Sequence, residues 1–260
     1  TELANKTIVL CGVTFMGESA KLLNPDKTVL MPDLAADCPM AHMITADRIA
    51  EVREEYEDLA VVCYVNSTAE IKAVSDVCVT SSNAVKVVSN IPQKNIFFVP
   101  DNNLGRYVAE KLPEKHFIFH DGFCHVHKSI HAAELQAAKD ACPDALVLTH
   151  PECTEDVVAM SDFVGSTSEI IDFATQSDCK KFIICTEMGV FFELQQKNPD
   201  KKFYSVGHRQ FCPNMKKVTI DKVEQVLEKL GSGELEEITL SDEILTRAAK
   251  PLQRMLELAK

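Results

Sequence analysis

The chain has 260 residues, 46% hydrophobic and 25% charged, the balance of a soluble globular protein long enough to bury more than one core. Its net charge of −12 argues against binding to nucleic acid or an anionic membrane surface, both of which draw on basic patches. No apolar run reaches the ~18 residues a membrane helix requires, and the first residues have no signal-peptide layout, so a cytoplasmic location is the expectation.

Taken in order, residues 8–12 read as a strand, a Gly-punctuated helix follows, and residues 29–31 form a second strand before Cys38. Thr45 then opens a charged amphipathic helix over residues 46–57. The apolar run 60–67 is a strand with polar residues at its end, Tyr64 and Asn66. Beyond it come Ser75-Asp76 and the small-hydroxyl turn Thr80-Ser-Ser-Asn83, which begins a helix over 84–89. Residues 96–100, a helix, residues 117–119 and Cys124 repeat the opening pattern.

The pattern then recurs. His131 opens a helix over 132–141, and the strand run 146–153 carries His150 and Glu152 where the earlier copy has Tyr64 and Asn66. Ser161-Asp162 and Ser166-Thr-Ser-Glu169 match their counterparts at the same offset of 86 residues, ahead of a helix over 170–175. Strands at 182–186 and 203–206 lead to Cys212, and Thr219 opens a helix over 220–230. After Gly231-Ser-Gly comes a tail helix capped by Ser241. Its apolar face holds Ile244, Leu245, Ala248, Leu252, Met255, Leu256 and Ala259, and Pro251 is expected to kink it.

Strands alternating with helices indicate parallel α/β sheets. The repeat predicts three similar three-layer αβα domains around a pseudo-threefold axis, the first incomplete. Residues 1–44 are the second half of the first domain, 45–131 the second domain, and 132–220 the third. Residues 221–260 are a helical tail packing back on the first. Only seven residues precede Ile8 where the repeat implies roughly 50, so the expectation is either a truncated chain or an unusual short form, in both cases without half of the first domain. In open α/β sheets ligands bind at the strand carboxyl ends, and the predicted axis brings the three cysteine loops to one centre.

Of ten cysteines, Cys11, Cys63, Cys78 and Cys185 fall within strand-like runs and read as small core hydrophobes. Cys142, Cys153 and Cys179 fall at helix ends or in loops. Cys38, Cys124 and Cys212 differ: they stand 86 and 88 residues apart, each after a strand. No Cys-x-x-Cys occurs, which excludes a zinc ribbon or a thioredoxin motif. The register predicts three thiolates on one [4Fe–4S] cluster, leaving one iron open as a Lewis acid. The competing reading is three buried free thiols. Glu152 is a candidate acid/base or a plain loop carboxylate. His150 is a site residue or a core histidine; Tyr64 and Asn66 are substrate hydrogen-bonders or structural. His127, three residues after Cys124, is a candidate to approach cluster or substrate. His42, His116, His120 and His208 read as surface or core. The hydroxyl turns read first as helix N-caps and second as anion sites.

These stretches together resemble quinolinate synthase of the A type. The residues that carry the likeness include Phe15-Met-Gly-Glu-Ser-Ala-Lys21, Tyr64-Val-Asn-Ser67, Thr80-Ser-Ser-Asn-Ala-Val-Lys86, Gly122-Phe-Cys-His-Val-His127, His150-Pro-Glu-Cys153, Gly165-Ser-Thr-Ser168 and Cys212-Pro-Asn-Met-Lys216. The resemblance implies an enzyme of NAD biosynthesis that condenses iminoaspartate with dihydroxyacetone phosphate, releasing phosphate and water, to give quinolinate. It implies Cys38, Cys124 and Cys212 as cluster ligands, and Glu152 as the catalytic carboxylate with Tyr64 and His150. Asn66, His127, Ser81 and Thr167 would bind substrate. A functional partner supplying the imine, an L-aspartate oxidase or aspartate dehydrogenase, is also implied. The stretch Val206-Gly-His-Arg-Gln-Phe-Cys212 lacks the Cys-x-x-Cys of some members, so no thiol–disulfide switch is expected there. The short first domain leaves an alternative: a form that binds cluster or ligand without turnover.

Overall fold

The computed structural model describes residues 4–207 and 210–260. His208, and with it part of the stretch before Cys212, lies outside the described residues. In chain order, β1 (Thr7–Val9) and β2 (Thr28–Leu30) flank α1 (Thr14–Leu23). Then come α2 (Ala46–Glu55), β3 (Leu59–Tyr64), α3 (Ala69–Ala73), β4 (Val77–Val79), α4 (Ala84–Ser89), β5 (Asn95–Val99), α5 (Asn102–Lys111) and β6 (His116–Phe119). The succession repeats as α6 (His125–Lys128), α7 (Ala132–Ala141), β7 (Leu146–Thr149), α8 (Glu155–Val158), β8 (Phe163–Val164), α9 (Thr167–Gln176), β9 (Lys181–Cys185), α10 (Val190–Lys197) and β10 (Lys202–Ser205). The last helices are α11 (Ile220–Glu228) and α12 (Asp242–Leu258).

The fold is α/β, with three parallel sheets among the described residues and helices between the strands, as the alternation predicts. One sheet is β1-β2. The others run β4-β3-β5-β6 and β8-β7-β9-β10, the same order displaced by four strands. Helices on both faces bury a parallel sheet from two sides, so its strands are continuous apolar runs. Val61, Val62, Cys63, Ile96, Phe98, Val99, Phe182, Ile183, Ile184 and Cys185 accordingly have no exposed surface.

The chain divides into two compact units. One contains Thr1–Pro100, Pro113–Gly122 and Pro213–Lys260, with the β1-β2 and β4-β3-β5-β6 sheets; the other contains Asp101–Leu112 and Phe123–Cys212, with the β8-β7-β9-β10 sheet. Within each, the repeat extends to individual hydrogen bonds. Val61 N–H donates to the Asp76 carboxylate at 2.7 Å, and Val147 N–H to Asp162 at 2.8 Å. Thr80 N–H donates to Asn83 Oδ1 and Ser166 N–H to Glu169 Oε2, both at 2.7 Å. A side chain that closes a strand-to-helix turn on its own backbone holds that turn in one shape.

In the first unit, α12 runs through Pro251 from Asp242 to Leu258 and buries Ala248, Pro251, Leu252 and Met255. It packs on α3, β4 and α1. Lys86 Nζ fastens its end by donating to the carbonyls of Ala259 and Lys260, each at 2.8 Å. Leu256 lies outside the buried stripe and is 47% exposed.

Candidate active site

Each of Cys38, Cys124 and Cys212 follows an edge strand (β2, β6 and β10), is half-buried, and is in no disulfide. Their loops share a second feature: a carboxylate holds the cysteine's own amide. Cys38 N–H donates to Asp37 Oδ1 at 2.7 Å, Cys124 N–H to Asp101 Oδ2 at 3.2 Å, and Cys212 N–H to Glu187 Oε1 at 3.2 Å. Asp101 and Glu187 stand 86 residues apart, each just past a strand. Asp101 also caps α5 by accepting from Leu104 N–H at 2.7 Å. Before Cys124, Gly122 passes so close to the Pro100 carbonyl that an added Cβ would run into its oxygen, so that position takes no side chain.

In the first unit, Tyr64 ends β3 and is buried, Asn66 is half-buried in the next turn, and Ser81 is half-buried ahead of α4. The cap of α4 is Asn83. In the second unit, Thr167 is the exposed first residue of α9, whose N-cap is Ser166 in a capping box with Glu169. The Ser166 hydroxyl and amide are therefore engaged with Glu169 while Thr167 faces solvent.

The second unit brings Cys124, His127, His150 and Glu152 together. The His127 and His150 rings stack with centroids 4.7 Å apart and planes 24° apart. His127 Nε2 is 2.9 Å from the Thr186 hydroxyl. His127 Nδ1 is 2.9 Å from Glu152 Oε2 but out of hydrogen-bond alignment, a buried nitrogen left without a bond. Glu152 is itself only 3% exposed, its amide donates to His150 Nδ1 at 3.3 Å, and its carbonyl accepts from Asn103 Nδ2 at 3.0 Å.

Burial dominates the electrostatics. It depresses the His150 imidazole to about 4 against the opposing pull of the Glu152 charge, with a smaller downward push from His127. His150 is thus neutral at physiological pH. Burial, then the charge of Glu152, holds the Asp101 carboxyl well above the usual carboxylate range. The same two causes push the Cys124 thiol far up.

Candidate donor atoms of Cys124, His127 and Glu152 lie within 4.8 Å of one another, a group able to hold a metal ion. Two observations fit a cationic guest. A thiol, an imidazole nitrogen and a carboxylate converge there, a donor set of the kind that binds a metal and on which a bound metal favours the thiolate. The unaligned His127 nitrogen faces a carboxylate instead of completing a hydrogen bond.

Asp101, Asn103, Thr186 and Glu187 were not assigned roles from sequence. Asp101 and Glu187 had a signal in their shared offset; Thr186 and Asn103 meet the site only through the fold.

A family model described as quinolinate synthetase A protein matches residues 1–257. A quinolinate synthase of Fusobacterium nucleatum is 51% identical over 259 residues, covering all of this chain and 85% of that protein. One from Caldicellulosiruptor saccharolyticus is 49% identical over 99% of this chain and 84% of its own length. One from Aquifex aeolicus is 44% identical, over 97% and 79% respectively. A match of this extent and identity leaves one assignment: the chain belongs to the quinolinate synthetase A protein family, a family of enzymes.

Proposed function

We propose that the chain is a quinolinate synthase that condenses iminoaspartate with dihydroxyacetone phosphate, releasing phosphate and water, in the cytoplasmic synthesis of NAD. The observation that carries this reading is the buried Glu152 carboxylate beside two stacked histidines and Cys124. Forming an aromatic ring from these substrates requires carbon–hydrogen bonds to be broken and hydroxyls to leave as water. Both need a positioned acid/base.

Glu152 is the group that takes and returns those protons. His150, neutral because it is buried, serves as a hydrogen-bond partner to substrate without adding a charge. His127 is held at Nε2 by the Thr186 hydroxyl, which leaves Nδ1 as its working atom. Tyr64 and Asn66 contact substrate from the end of β3. Ser81 and Thr167 receive carboxylate or phosphate oxygens. His127, His150 and Glu152 are themselves buried, and a site shielded from water protects an imine that hydrolyses readily.

Cys38, Cys124 and Cys212 are the residues that would hold a [4Fe–4S] cluster. Three half-buried cysteines outside any disulfide, in corresponding loops, suit it, since three thiolates leave one iron without a cysteine. When bound, that iron supplies Lewis-acid chemistry at a substrate oxygen. An L-aspartate oxidase or aspartate dehydrogenase is the class of partner that supplies the imine.

The test is anaerobic reconstitution, iron and sulfide analysis, and assay of quinolinate from dihydroxyacetone phosphate and imine generated in place. Expected are about four irons per chain, quinolinate formation in the parent, and loss of iron in Cys124→Ser. A folded chain with a full complement of iron and no quinolinate sinks the catalytic reading and leaves binding without turnover. Iron at background in a folded, reconstituted chain sinks the cluster.

A further inference from the structure

Lys72 has no exposed surface and is the only buried lysine among the described residues. Removing an ammonium from water costs several kcal/mol unless partners compensate. Its Nζ donates to the Ser67 carbonyl, and the Ser67 hydroxyl donates to the Tyr64 carbonyl at 2.9 Å. The turn that carries Tyr64 and Asn66 is therefore closed from within on one buried cation. Glu18 on α1 feels the same charge: its Oε2 accepts from Ala69 N–H at 2.8 Å, and the Lys72 charge opposes the rise that burial imposes on its carboxyl. Burial lowers the Lys72 ammonium from the usual lysine range, opposed first by Cys63 and Cys78, which pair across β3 and β4, and then by Glu18; the Phe15 ring lies 5.6 Å away.

The repeat provides an internal control. At the offset of 86, Lys72 corresponds to Val158, and Ser67 to Cys153. The turn after β7 closes by Cys153 N–H donating to the His150 carbonyl at 3.0 Å, without a lysine. The fold of this turn does not call for a buried cation, so Lys72 is there for something the second copy does not need.

We propose that Lys72 is a positioning residue, its buried ammonium holding the 64–67 turn in the shape that presents Tyr64 and Asn66 to a dicarboxylate ligand. The proposal rests on the substrate reading given above. A fixed cation beneath the turn also favours anionic groups at the end of β3, because charges in a low-dielectric interior are weakly screened.

Lys72→Met keeps most of the stem and removes the charge. Amide exchange across residues 64–67 is read first, in ligand-free protein, with a rise of at least tenfold expected in Lys72→Met. Unchanged exchange overturns the clamp, whatever the chain does catalytically. Calorimetric titration with quinolinate, a dicarboxylate, is read second: at least tenfold weaker binding is expected, and in the assay a raised KM with kcat within about threefold. Unchanged affinity, or a fall in kcat with KM unaltered, overturns the positioning role. Glu18→Gln combined with Lys72→Met separates positioning from simple charge pairing. If the double variant restores the melting temperature while binding stays weak, the proposal stands. Parental affinity in the double variant defeats it, as does loss of the fold in both variants, since Lys72 is then a folding element. A parent chain that neither binds nor forms quinolinate defeats the function reading alone, leaving the exchange result to decide the clamp.

Discussion

The turns after β3 and β7 are built on one frame and filled with different chemistry. Both strands are central in their sheets, both accept a short helix after a polar turn, and both tie a following aspartate back to the strand amide. After β3 the turn encloses a lysine; after β7 it carries a buried acid next to two histidines. Repetition conserves the backbone, which is satisfied by apolar strands and a few capping bonds. The interior of each turn is then available for a separate task. On the reading above, the β3 end binds and the β7 end moves protons.

The largest expected effect separates those tasks. Glu152→Gln should lower kcat by roughly 10²- to 10⁴-fold, the usual contribution of a positioned acid/base, with quinolinate affinity little changed. Asn66→Ala should instead act mainly on KM. Steady-state kinetics on both variants decide the matter, and equal effects on kcat would break the division of labour.

A second difference is in pH response. His150 is buried and depressed to about 4, so below about 6.5 the unfolded chain takes up a proton that the folded chain does not. Stability of the cluster-free chain should therefore fall as pH drops from about 6.5 to about 4, by up to about 3 kcal/mol. Urea unfolding at stepped pH should show this slope in the parent and a flatter one in His150→Gln. Equal slopes would mean that the imidazole is not held neutral by the fold.

The helices that follow the cysteine loops provide a smaller contrast. Thr45 and Thr219 cap α2 and α11 through their hydroxyls, whereas His131, at the matching place before α7, makes no such bond. Thr45→Ala should cost about 1 kcal/mol and His131→Thr should stabilise by a similar or smaller amount. Thermal melts of the two variants moving in opposite directions is the expected result. Smallest of all is Val158→Lys. Val158 is only half-buried, so an introduced lysine reaches water with its ammonium and should cost less than about 1 kcal/mol. A large loss of stability there would remove Val158 as a control for Lys72.

The α/β class, the strand runs and the offset of 86 were all legible in the chain. A parallel strand buried on both faces must be continuously apolar, and two such units written in succession leave matching polar residues at matching places. The places of Cys124, His127, His150 and Glu152, at strand ends or beside a registered cysteine, were legible for the same reason; that the four meet was decided by the fold. Lys72 was not legible, because a lysine on a short helix reads as solvent-exposed until the packing around it is known. Thr186 beneath His127 and the Asp101 carboxylate on the Cys124 amide were equally hidden; these contacts span 59 and 23 residues. Sequence periodicity reports which face of an element is buried. It does not report which side chain from another element arrives there, and in this protein that arrival determines the protonation of His150, the orientation of His127 and the burial of Lys72.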